Sequence, residues 1–273
     1  MTHYYNDGFG YQDNLLPLYQ QKINNEVVVI TSDRKTPFNK NTKNRIVGSS
    51  CYYDGSIKII RLNSFFELKK RSVYIKKLTD TLKAEKPDYI FHHGLAFSTL
   101  STVVRYKKKN PSVFLVADNH ADLMNSARNP LWRIFYYRTY SQLRLANVLK
   151  YIDLFFGVTP ARCHFLNSEL SIPMEKIRLL PIGVDEDGAN KLISKSSNEE
   201  KNNLKLVTGG KWFRGKGLEE VIDAVRDLDV QLNIFGKIED DFIKEKLKSS
   251  TKNVFFLGWQ NREETLSLLK NSD

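Results

Sequence analysis

The feature that most restricts the fold of this chain is an alternation. Short apolar runs, each able to fill a buried strand, are separated by stretches with helical spacing. One polar segment interrupts the pattern, and it then starts again. Residues 27–31, 57–62, 89–92, 113–117, 154–158 and 177–180 read as strands, and residues 15–23, 73–86, 97–108 and 131–151 read as helices. Pro87 stops the helix over 73–86. Residues 190–203 are rich in Asn, Lys, Ser and Glu and have little to bury, so they read as a linker. Beyond it come strands over 204–208, 230–235 and 253–257, and helices over 218–228, 241–248 and 262–270. Strands alternating with helices on both sides of a linker predict two parallel α/β units. The boundaries are a first domain over 1–188, a linker over 189–203 and a second domain over 204–273.

Composition narrows the class. The chain has 273 residues and is 41% hydrophobic and 12% aromatic, which is globular and not disordered. Cys51 and Cys163 have no CxxC or Cys/His ligand spacing, so neither a disulfide framework nor a metal site is expected. No stretch is apolar enough for a membrane span and no signal peptide opens the chain, which predicts a cytoplasmic protein. The net charge of +11 suits an anionic membrane surface, phosphorylated substrates or nucleic acid. No helix-turn-helix, finger or RNP motif supports nucleic acid. Lysines spread along the whole chain also fit a merely soluble surface.

Both ends read as cut. The turn Asp7-Gly8-Phe9-Gly10 is of a kind that follows an apolar first strand, and almost nothing precedes it. Three strands are few for an independent second domain. A fragment is therefore expected.

The segment from Leu206 to Glu220 carries the most chemistry. A strand runs into Gly209 and Gly210, a basic loop with Lys211, Arg214 and Lys216 follows, and a helix begins after Gly217. Glycines allow a close backbone approach, and a helix start offers free N–H groups. The combination suits a diphosphate, although neither the Walker pattern nor GxGxxG is present. An ordinary strand-to-helix loop with surface lysines is the alternative.

This segment resembles the glycine–basic–four residues–Lys-Gly loop of family 4 retaining glycosyltransferases, with Lys211 where that family usually has Arg and Lys216 on its lysine. Pro181-Ile-Gly183-Val-Asp185, residues 172–177, Gly236, residues 253–258 and residues 268–273 resemble further segments of that family, in its order. The resemblance implies a GT-B fold of two Rossmann-like domains, the C-terminal one incomplete. It also implies transfer of a sugar from a nucleotide-diphosphate donor to the hydroxyl of a saccharide or lipid-linked acceptor, as in surface polysaccharide or glycolipid assembly. Gly210, Lys211, Lys216, Gly8 and Gly10 would bind the donor phosphates. Tyr11, Asn14, Asp118 and Asn119 would lie on the acceptor side, and His120 would be the catalytic histidine that positions the donor sugar. No cofactor or metal is implied, since the nucleotide sugar is a substrate and no DxD motif is present. The family's paired glutamates would fall beyond Asp273, so this chain alone is expected to be inactive or nearly so. A GT-B epimerase, a pseudoenzyme and a membrane-surface scaffold share enough of these features to stand as alternatives.

Three further readings concern individual side chains. Asp118 and Asn119 could instead serve a turn or cap. His92 and His93, at a strand end, read as structural, one of them pointing into the core. Arg133, Tyr137, Tyr140, Arg144 and Tyr151 fall near one helix face and suit a lipid-headgroup boundary, a sugar acceptor or simply core.

Overall fold

The computed structural model describes residues 1–36, 44–68, 72–124, 126–127, 129–183 and 204–273. Contacts divide the chain into two units, Met1–Gly183 and Val184–Asp273. The expected linker and Asp185 lie outside the described residues.

The first unit opens with α1 (Gln12–Lys22) and β1 (Val28–Ser32). β1 pairs in parallel with β3 (Ile57–Leu62), which pairs antiparallel with β2 (Ser50–Asp54). β4 (Ser64–Leu68) and β5 (Ser72–Ile75) form an antiparallel pair. Next come α2 (Leu78–Glu85), β6 (Tyr89–His92), α3 (Leu100–Lys109) and β7 (Phe114–Asn119). A broken helical stretch follows, made of α4 (Pro130–Trp132), a π-helical Arg133–Ser141 and α5 (Gln142–Leu149). β8 (Leu154–Gly157), α6 (Pro160–Leu170) and β9 (Ile177–Leu179) complete the unit. β6-β7-β8-β9 is a parallel sheet in sequence order. Its core holds Leu115, Ala117, Phe155 and Ile177 from the strands, with Leu100, Val103, Val104 and Leu166 from the covering helices.

Three expectations are corrected. Residues 73–75 are strand and not helix: Val73, Tyr74 and Ile75 pair with β4, and β-branched and aromatic residues suit that pleated edge. The helix expected over 131–151 is not a regular one. Arg133 and Arg138 both reach Glu169 on α6, at 2.5 and 3.0 Å, and the turn between them is π-helical. The Pro160–Leu170 helix, capped by Thr159 and begun by Pro160, was not expected at all.

The second unit is a parallel sheet in the order β10-β11-β12. Its elements are β10 (Leu204–Trp212), α7 (Leu218–Ala224), β11 (Val230–Ile238), α8 (Asp241–Lys248), β12 (Val254–Phe256) and α9 (Arg262–Lys270). Leu218, Ile222, Leu232, Ile234 and Ile243 form its core. A full capping box on Asn261 and Glu264 starts α9. Among the described residues, no helix is long and apolar enough to cross a membrane.

Candidate active site

In parallel sheets, ligands gather beyond the carboxyl ends of the strands. In the first unit those ends carry His93, just after β6, and Asp118, Asn119 and His120 at the end of β7. Asp118 is fully buried. Its Oδ2 accepts from His93 Nδ1 at 2.8 Å and from His120 Nε2 at 3.1 Å, while its Oδ1 accepts from Gly94 N at 2.7 Å. Burial works against ionisation of Asp118, but the hydrogen bonds from His120 and His93 outweigh it and hold the carboxyl well below the usual range. Burial likewise opposes a charge on His93, yet the bond to Asp118 and the nearby Asp13 raise its pKa. Asp13 lies 3.8 Å away, on the first turn of α1, so the glycine turn and the β7 end share one neighbourhood.

His120 is about one-third exposed and is the accessible member of the cluster. Asn119 is occupied locally: its amide donates to Ala121 O at 2.8 Å, and its Oδ1 accepts from Ala121 N at 3.1 Å. Asn14 is buried and donates to Asn6 O at 2.9 Å, so it pins the glycine turn from below. Tyr11 is exposed, as are Gly8 and Gly10, and Gly8 has φ +71°, which favours glycine. Arg61, buried, holds the same turn by donating to Tyr5 O at 3.0 Å and to Asp7 at 3.1 Å.

His92 is structural, as expected: buried, with Nε2 3.0 Å from Thr99 Oγ1. His93 turns away from the core and its ring reaches Asp118. Successive residues of a strand face opposite ways, so one inward histidine sends its neighbour outward, towards Asp118. That alternation was the available signal. His93 Nδ1, an Asp118 oxygen and His120 Nε2 lie within 4.8 Å of one another, a ligand set that a divalent transition metal accepts.

In the second unit the strand runs further than expected. Gly209, Gly210 and Lys211 are paired with Phe235, Gly236 and Lys237, and the turn begins only after Trp212. The indole of Trp212 is buried and donates to Phe235 O at 2.9 Å, which fixes the strand end. A side chain at Gly209 would strike the Phe235 ring at 2.0 Å, whereas Gly210 has room for one. Lys211 lies 2.7 Å from Glu239, which also takes Lys237 at 2.6 Å. The bond from Lys211, with that from Lys237, pushes the Glu239 pKa down to about 2. Lys216 is exposed in the turn between Gly215 and Gly217, both with positive φ. On the broken helical stretch, Arg133 is committed to Glu169 and Tyr137 packs on Phe165. The side chains of Tyr140 and Arg144 lie outside the described residues.

Comparison with solved structures decides the fold. A glycosyltransferase from Rickettsia africae ESF-5 superposes with a TM-score of 0.57 over 96% of this chain and 66% of its own, at 15% identity. The fold is GT-B. A UDP-GlcNAc 2-epimerase from Neisseria meningitidis bound to UDP-GlcNAc gives a TM-score of 0.45 at 18% identity, over 72% of this chain and 55% of that one. This GT-B chain thus spans just under two thirds of the glycosyltransferase it matches. No family model matches the chain. No curated protein matches it in sequence.

Proposed function

We propose that the chain belongs to a glycosyltransferase that moves a sugar from a nucleotide diphosphate to an acceptor hydroxyl. The observation that carries this reading is the basic segment at the carboxyl end of β10, in a fold shared with a glycosyltransferase. Lys211 and Lys216 meet the donor diphosphate, whose charge grows as the sugar leaves, and fixed cations stabilise that charge. Gly210 lets the phosphates approach. His120, steadied by Asp118, helps position the donor sugar, the Gly8–Gly10 turn lies under the donor phosphates, and Tyr11 borders the acceptor. Configuration at the transferred carbon is retained, and no metal is required by these steps. Calorimetry with nucleoside diphosphates tests the donor half of this reading. Binding that weakens about tenfold or more in Lys216→Ala supports it. No binding, or binding indifferent to Lys211→Ala and Lys216→Ala, overturns it.

A membrane-borne acceptor is favoured by one observation. Leu131, Trp132, Ile134 and Phe135 are all exposed, on a chain of net charge +11. Flotation with anionic vesicles, lost in Trp132→Ser/Phe135→Ser, is the expected result. Equal flotation with neutral vesicles, or none, contradicts it.

A further inference from the structure

Two imidazole nitrogens from neighbouring strand ends converge on one carboxylate oxygen. β6 and β7 are parallel, with His92 paired to Ala117, so the next residue of each, His93 and Asp118, lie side by side. His93 Nδ1 is 2.8 Å and His120 Nε2 is 3.1 Å from the same Oδ2 of Asp118. The two rings stand 4.7 Å apart between centroids, inclined at 61°, so their edges meet at that oxygen without stacking. His93 and Asp118 are 25 positions apart in sequence, which is why no local Cys/His spacing announces the set.

The spacing is close to that of a metal's ligand shell. An ion of the zinc class takes nitrogen and oxygen ligands at about 2.0–2.2 Å, which sets tetrahedral ligand atoms about 3.4 Å apart. Shifts of about half an ångström in the two rings would make that room. The carboxylate is already held from its other side, since Oδ1 accepts from Gly94 N at 2.7 Å. Outer bonds of this kind orient a metal's ligands. Asp118 is also fully buried, and a buried charge needs either a partner or a metal. Asp13 brings a second carboxylate to the edge of the cluster, with its Oδ1 3.8 Å from His93 Nδ1. Two carboxylates beside two imidazoles complement a doubly charged ion.

We infer that His93 Nδ1, Asp118 Oδ2 and His120 Nε2 form a binding site for a divalent transition-metal ion of the zinc class, with the fourth position taken by water. All three ligand atoms lie within 4.8 Å of one another. Mixed imidazole and carboxylate donors select zinc, cobalt or nickel over magnesium and calcium, which take shells of oxygen. The ion replaces the two N–H groups that meet Oδ2. Each ring then keeps a proton on its other nitrogen, and any further proton passes to solvent. His120 is common to this site and to the function proposed above, but binding of the ion does not rest on that function.

The test is calorimetry and thermal shift on the whole chain, prepared without a polyhistidine tag and stripped with a chelator, with ZnCl2 and MgCl2 as probes. Zn2+ is expected to bind and to raise Tm in proportion to RT ln(1 + [L]/Kd), while Mg2+ at the same concentration does not. His93→Ala and His120→Ala should each weaken Zn2+ binding by about tenfold or more. His120→Ala decides the matter if His93→Ala fails to fold, because the His120 ring is one-third exposed. His164 and Cys51 are exposed elsewhere, and His164→Ala/Cys51→Ser should leave binding unchanged. Co2+ in place of Zn2+ should give the visible absorption of a four-coordinate ion, lost in His120→Ala. No Zn2+ binding, or binding as tight in His120→Ala as in the parent, would overturn the inference. Equal binding of Mg2+ would overturn it too, since the cluster would then be a merely acidic patch. No arm contains a nucleotide, so failure here and failure of the donor site are separate results.

Discussion

The buried carboxylate of Asp118 receives His93 Nδ1 at 2.8 Å and so ties the end of β6 to the end of β7. The same oxygen accepts from His120, which leaves His120 as the accessible end of a fixed chain of polar groups. A histidine one-third exposed and backed by an ionised, fully bonded carboxylate has one preferred orientation, and positioning is what a site residue requires.

The pair makes stability depend on pH. The folded pKa of His93 is raised above 6.5, so its contribution is complete below that value and is lost as pH rises through the folded pKa. The pKa of Asp118 is depressed, so its contribution is present above 3.8 and is lost only in stronger acid. Tm is therefore expected to fall by about 2–4 °C between pH 6 and pH 8.5. Asp118→Asn should flatten this dependence and cost about 1.5–3 kcal/mol of stability. A Tm that rises over this interval would contradict the assignment.

Glu169 anchors the broken helical stretch through Arg133 and Arg138. Arg133 foremost, and then Arg138, against the opposing effect of burial, hold its pKa down to about 2. Its contribution is present above 4.5 and fades as pH falls towards 2. Glu169→Ala should lower Tm by about 4–8 °C and speed proteolytic cleavage near residues 133–141. Unchanged cleavage would show that the π-helical turn does not depend on this anchor.

Much of the alternation was legible because strand and helix periods differ. Ile57–Leu62, Asp241–Lys248 and Arg262–Lys270 have the expected bounds. Residues 73–75 misled because Tyr74, Leu78 and Leu82 share a helical spacing that continues into α2. Pairing with β4 is a distant contact that local periodicity does not report. Asp118 and His120 stood out in the sequence because they sit at the carboxyl end of a clear strand. His93 was hidden because two adjacent histidines look alike until the inward one is known. Arg61, 54 residues from Asp7, gave no local sign that it holds the glycine turn.

Two glycines in the second unit separate packing from ligand approach. Gly236 has φ +113°, and a side chain there would meet Gly210 O at 1.9 Å. Gly236→Ala should destabilise the unit by roughly 3 kcal/mol. Gly210→Ala has room and should leave stability within about 0.5–1 kcal/mol of the parent while weakening nucleotide binding. Urea unfolding of both variants measures the contrast, and equal losses would contradict it.

Glu239 competes for the lysine assigned to the phosphates. Because Lys211 and Lys237 both pair with it, Glu239→Gln should release Lys211 and tighten nucleoside diphosphate binding by about two- to fivefold. Weaker binding in that variant would mean that Glu239 holds Lys211 in place and does not compete.

The most direct measurement is the thermal shift of this chain with a panel of nucleoside diphosphates and the matching monophosphates, repeated on Lys211→Ala/Lys216→Ala. Stabilisation should grow as RT ln(1 + [L]/Kd), favour the diphosphates and vanish in the double variant. No shift with any nucleotide, or the same shift without the two lysines, would contradict a donor site on β10 and its turn.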